Sequence, residues 1–129
     1  MKYGEVNKTL MSVFPMFTVD KDDFDLPYVV AGLFTQFILE AYQEDDMETY
    51  YKWLEFIETL HLGDTQMVRE LATIGHLESI QNTWPQDLIS INVPFNDLGE
   101  ESKKCWEKLN NFWNGDMTAL RDGNWAKWA

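Results

Sequence analysis

Met47-Glu48-Thr49-Tyr50-Tyr51-Lys52-Trp53-Leu54-Glu55-Phe56-Ile57-Glu58-Thr59-Leu60-His61 is the stretch that decides the fold. Tyr50, Trp53, Leu54, Ile57 and Leu60 recur at spacings of three and four, the period of a helix that buries one face. Glu48 and Lys52 fall on the outer side, in the i, i+4 order that favours a surface ion pair. The acids Glu44, Asp45 and Asp46 break the preceding pattern, and with Glu48 they suit a helix start through the macrodipole. Downstream, Gly63 is placed as the residue after the helix end, and Asp64 as the cap of the next helix.

The same period extends in both directions. Tyr3, Val6, Leu10, Val13 and Phe14 predict a first helix that Pro15 ends. Met16 to Leu26 reads as an acidic loop. Asp25 is positioned to cap a second helix with Pro27 in its first turn and Val30, Leu33, Phe34, Phe37, Ile38 and Ala41 inward. A fourth helix is predicted from Thr65 to Asn82, with Met67, Val68, Leu71, Ile74 or Gly75, and Ile80 on its buried stripe. Gly75 in mid-helix costs about 1 kcal/mol against Ala, so a close approach by another helix is expected there. Thr83 to Leu98, with Pro85 and Pro94, reads as a loop with one helical turn; Leu88, Ile89, Ile91 and Val93 look strand-like but have no second run to pair with. A last helix starts near Gly99 or Glu100, carries Cys105, Trp106, Leu109, Phe112 and Trp113, and ends at Gly115.

Joints of about two to four residues imply antiparallel neighbours. The expected fold is all-α, with five to six helices in a small HEAT-like or irregular antiparallel bundle. The chain of 129 residues is read as one domain: an N-terminal helix and acidic loop (1–25), a core (26–115) and a tail (116–129) holding Met117, Leu120, Trp125 and Trp128. A hydrophobic share of 45% argues against general disorder.

Charge is unevenly spread. Residues 20–64 hold twelve acids against Lys21 and Lys52, most of the chain's formal −12. Such a field repels nucleic acid and anionic membrane and attracts a basic protein surface. Lys103, Lys104 and Lys108 form a small basic patch that Glu100, Glu101 and Glu107 neutralise. The longest apolar run, Tyr28 to Leu39, is shorter than the roughly 20 residues of a bilayer span. Cys105 is the single cysteine, so no internal disulfide forms. Met1-Lys2-Tyr3-Gly4-Glu5 does not read as a secretion signal. Together these features set the expectation of a cytoplasmic protein.

No motif points to catalysis. Glu58-Thr59-Leu60-His61 has the Glu-x-x-His spacing of di-iron bundles, but His76 has Thr73, not Glu, three residues before it. The pair is therefore read as a solvated helix end, with His61 stabilised by the C-terminal dipole and His76 half-buried or at an interface. Asp20, Asp22, Asp23 and Asp25 resemble a calcium loop without its glycine and terminal glutamate, since Asp25 and Ala31 stand there. Cys105 is read as a buried structural thiol. No catalytic residue, metal site or cofactor is expected.

Val68 to Asn82, together with Gly99-Glu100-Glu101-Ser102, Trp106, Leu109 and Phe112-Trp113, resembles a group of small bacterial helical domains with no assigned activity. Members of that group are similar to the immunity partners of secreted toxins. Asp64, Val68-Arg69 and Ala72 also resemble the second helix of a HEAT-type repeat. The resemblance implies a right-handed stack of helix pairs with one face open to a partner. The expected function is an acidic protein-binding module, an immunity protein for a basic, nuclease-like toxin domain, and not an enzyme; the alternative is a structural or adaptor homodimer. Glu40, Glu44, Asp45, Asp46, Glu48 and Glu55 are the expected partner-binding residues.

Overall fold

The computed structural model describes residues 1–113. The expected end of the last helix at Gly115 and the tail 116–129 lie outside them. Six helices follow in order: α1 (Val6–Val13, after a 3-10 turn at Tyr3–Glu5), α2 (Pro27–Gln43), α3 (Met47–His61), a composite α4, α5 (Gln86–Ser90) and α6 (Glu100–Trp113). Helix α4 runs as an α-helical turn over Gln66–Glu70, a π-helical stretch over Leu71–Leu77 and an α-helical end over Glu78–Thr83. Among the described residues there is no strand, so the fold is a small all-α bundle.

Helix α3 matches its sequence pattern closely. Tyr50, Trp53, Leu54, Ile57 and Leu60 are all buried, joined by Phe56 and His61. Helix α2 lies against both α3 and α4, and α3 also packs on α6. Gly75 sits at the α2–α4 contact, as its sequence position suggested. A Cβ there would stand 3.1 Å from the Cβ of Ala31 and 2.9 Å from Cδ1 of Leu71. The missing side chain is what lets the two helices meet.

The π stretch is surrounded on nearly every side: Leu71, Ala72, Thr73, Gly75, His76 and Leu77 are buried. A helix that buries most of its circumference has no polar face, so its polar residues must find partners inside. Thr73 and His76 do so, as described below. The Ser79 hydroxyl donates to the Gly75 carbonyl at 2.8 Å within the same region.

Several local expectations are corrected. Asp25 does not cap α2; Leu26 occupies that position without a side-chain bond. Thr65 rather than Asp64 caps α4, its hydroxyl accepting from the Val68 amide. Leu33, Met67 and Val13 are exposed rather than inward. Each is apolar and in phase with its helix but is not covered; Leu33 and Val13 instead border open clefts. The segment after α4 holds the expected helical turn as α5 and a 3-10 turn at Phe95–Asp97. Leu88, Ile89 and Val93 pack against the core while Ile91 stays exposed.

Candidate functional site

The short joint between α2 and α3 has each of its three amides bonded back to α2. The Asp45 amide donates to the Tyr42 carbonyl at 3.1 Å and the Asp46 amide to the Ala41 carbonyl at 2.8 Å. This is a Schellman closure, which needs a left-handed residue. Asp45 supplies it with φ of 64° in the place where glycine is cheapest. Asp46 then opens α3: its carboxylate accepts from the Thr49 amide at 3.3 Å and the Thr49 hydroxyl at 2.7 Å. Asp46 is thus partly committed to a cap, which the sequence reading did not assign.

Glu40, Glu44, Asp45, Asp46, Glu48 and Glu55 are all exposed. The first five gather around the joint. Glu55 stands seven residues beyond Glu48 on α3, roughly 10 Å further along the axis. It lines a different open groove with Glu58, Leu62 and Asp97. Lys52 lies 3.8 Å from Glu48 as an exposed i, i+4 pair, a contact of small energetic weight.

Beside the joint lie two adjacent clefts of about 340 and 270 Å3, with Met16 and Phe37 lining both. Leu33 and Glu40 border the first, and Val13, Asp46 and Glu48 the second. Met16 is 84% exposed. The sequence reading missed these apolar residues as surface features. The available signal was that α2 is apolar nearly all round, with Val29 and Leu33 opposing Val30, Phe34 and Ile38.

Glu58 and His61 are not a solvated helix end. The Glu58 carboxylate accepts from the amides of Glu101 (3.0 Å) and Ser102 (2.9 Å) and from the Ser102 hydroxyl (2.7 Å). It caps α6 from a neighbouring helix. Ser102 has one hydroxyl proton, and it goes to Glu58. His61 Nδ1 therefore donates to Ser102 Oγ across 2.7 Å, and Nε2 accepts from the Thr73 hydroxyl at 2.9 Å. Burial pulls His61 down to about 4, outweighing Glu58 and Glu101, which favour its charged form. Burial pushes the Glu58 carboxyl up, but the Ser102 hydroxyl and the two amides prevail and hold it below its ordinary value. His76 is completely enclosed and pulled down to about 3 by burial and by His61. Trp53 Nε1–H points at its Nδ1 across 3.5 Å.

Serine, histidine and carboxylate in contact invite comparison with a nucleophilic triad. Here Ser102 is 0% exposed and its proton is held by a carboxylate, not passed to the imidazole. The geometry is that of a helix cap continued inward by a neutral histidine. Cys105 is buried as expected, and burial pushes its thiol up, away from the reactive thiolate. Among the described residues no group of three His, Cys, Asp or Glu side chains converges for a metal, and no helix is long and apolar enough to cross a membrane.

The all-α bundle with these features belongs to a family: residues 7–114 match the domain of unknown function DUF7674, so the chain is a member of it. No match was found among curated proteins or among solved structures.

Proposed function

We propose that this domain is an acidic protein-binding module for a basic protein surface, and that its partner is a basic, nuclease-like toxin domain that it neutralises. The observation behind the reading is the acidic joint. Glu40, Glu44, Asp45, Asp46 and Glu48 are all exposed around one turn, on the segment that holds most of the chain's negative charge. A basic groove built for nucleic acid offers the complementary potential, and such pairs associate fast and salt-sensitively. Asp45 lends support: an aspartate is held at φ of 64° where glycine is cheaper, a conformational cost of the kind that residues at functional surfaces bear.

The test is capture from the native cell at low and high salt, with Glu40→Lys/Glu44→Lys as control. The reading expects a basic protein that is lost at high salt and from the variant. A captured partner that is acidic, or indifferent to both changes, contradicts it. The toxin assignment has its own test: co-expression with the gene next door rescues growth if that gene encodes the toxin.

A further inference from the structure

The clefts around Met16 present more apolar than polar surface, with acids among their lining residues. Their shared wall is part of an aromatic cluster. Phe37 stacks on Phe34 with ring centroids 5.6 Å apart and lies 5.4 Å from Phe17. Phe34 is completely buried and meets Phe14 edge-on at 4.8 Å. Phe37 is thus packed against two neighbouring rings, and the groove is open beside it without a partner present. Met16, at 84% exposure, is an unbranched thioether side chain able to reshape itself around an incoming group. Each cleft, at about 340 and 270 Å3, admits a large side chain.

The rims say what that side chain is attached to. Glu40 borders one cleft, Asp46 and Glu48 the other; among the described residues Lys52 is the one base lining either, already beside Glu48. A second copy of this chain would bring these carboxylates against their own kind, and an anionic lipid surface would be repelled. Resting on the acidic joint as the partner face, we propose that the Met16–Phe37 groove seats the apolar anchors of a basic partner segment. Its neighbouring lysines or arginines lie on Glu40, Asp46 and Glu48. The apolar contact supplies the residence time and the carboxylates supply orientation and approach.

The test uses three synthetic amphipathic peptides and the full chain. The first carries leucine anchors among lysines, the second has serine in place of each leucine, and the third has glutamate in place of each lysine. Fluorescence anisotropy should show the leucine peptide binding about tenfold or more tightly than the serine peptide. Met16→Ser/Leu33→Ser, two exposed positions, should erase that difference while leaving the serine peptide unchanged. Glu40→Lys should weaken both basic peptides. Equal binding of the leucine and serine peptides overturns the groove but leaves the acidic face standing. Basic peptides that bind no better than the acidic one overturn both. A dimer in sedimentation that Met16→Ser/Leu33→Ser dissolves also overturns the proposal, because the occupant is then a second copy.

Discussion

The carboxylate of Glu58 fills the space where a side chain on Gly99 would stand. A Cβ at Gly99 would lie 2.6 Å from Glu58 Oε1. Gly99 precedes α6, in the position where a serine or aspartate would normally cap the helix from within. The chain has no side chain there, and α3 lends its own acid across the bundle. That substitution ties the start of α6 to α3 and extends through Ser102 and His61 to Thr73 of α4. Three helices are thereby joined by one chain of polar contacts that runs from the partly buried Glu58 into the core.

A double-mutant cycle tests this pairing. Glu58→Ala removes three charge-assisted bonds and should cost about 2–3 kcal/mol in urea unfolding. Gly99→Ala should cost about 2 kcal/mol in the native background, because it displaces the carboxylate. With Glu58→Ala already present, Gly99→Ala should be close to neutral. Strict additivity of the two costs is the outcome that would refute the cap.

Acid should destabilise the fold through its two buried histidines. His61 and His76 titrate near 6.5 when unfolded and at about 4 and about 3 when folded. Above 6.5 both states are neutral and stability is full. As pH falls below that, the unfolded chain binds protons that the folded chain refuses, so stability drops. Linkage puts the loss between pH 7 and pH 5 at ~2 kcal/mol per histidine. Other proton-binding groups contribute to the total, so the variant is the control. His76→Leu should remove about half of the histidine loss, whatever it does to stability at pH 7. An unchanged pH dependence in that variant contradicts the assignment.

The contact of Gly75 with α2 gives a third test. Gly75→Ala gains about 1 kcal/mol of helix propensity but meets Ala31 at 3.1 Å and Leu71 at 2.9 Å. Net destabilisation of about 1–2 kcal/mol is expected, with partial rescue when Ala31→Gly is added. A stabilised Gly75→Ala protein would mean the helices have room between them.

How much of this was legible in the sequence follows from where each cause lies. Helices α2 and α3 and the start of α6 are legible because their apolar residues repeat along a single element. Gly75 is legible because a glycine inside a helix pattern carries a cost that only packing explains. Glu58 and His61 were misread because local geometry puts them at an exposed helix end. What engages Glu58 and encloses His61 is the approach of α6, whose Ser102 is 41 residues from His61. The π stretch was not legible: it depends on how Leu71–Leu77 meets neighbours on several sides at once. The acids at the joint were legible as charge, but the capping role of Asp46 and the left-handed turn at Asp45 were not. The groove at Met16 joins a loop to α2, and a pattern read one helix at a time does not reveal it.

Asp45 offers a test of stability against charge. Asp45→Gly should raise stability by about 0.5–1 kcal/mol, since glycine adopts the left-handed turn freely. Asp45→Val should lower it by more than that. If Asp45→Gly is neutral or worse, the aspartate is doing something for the fold that its backbone angle does not show.

The most direct measurement is the association rate of the captured partner with the native domain and with Glu40→Lys/Glu44→Lys, across a salt series. Glu40 and Glu44 are exposed; Glu44 ends α2 through its backbone amide, which any residue keeps, so the variant tests charge rather than folding. The account predicts a rate that falls steeply in the variant at low salt, with the two proteins converging as salt screens the field. Equal rates at low salt would contradict it, because the acidic joint would then be a solvated face and not the surface that finds the partner.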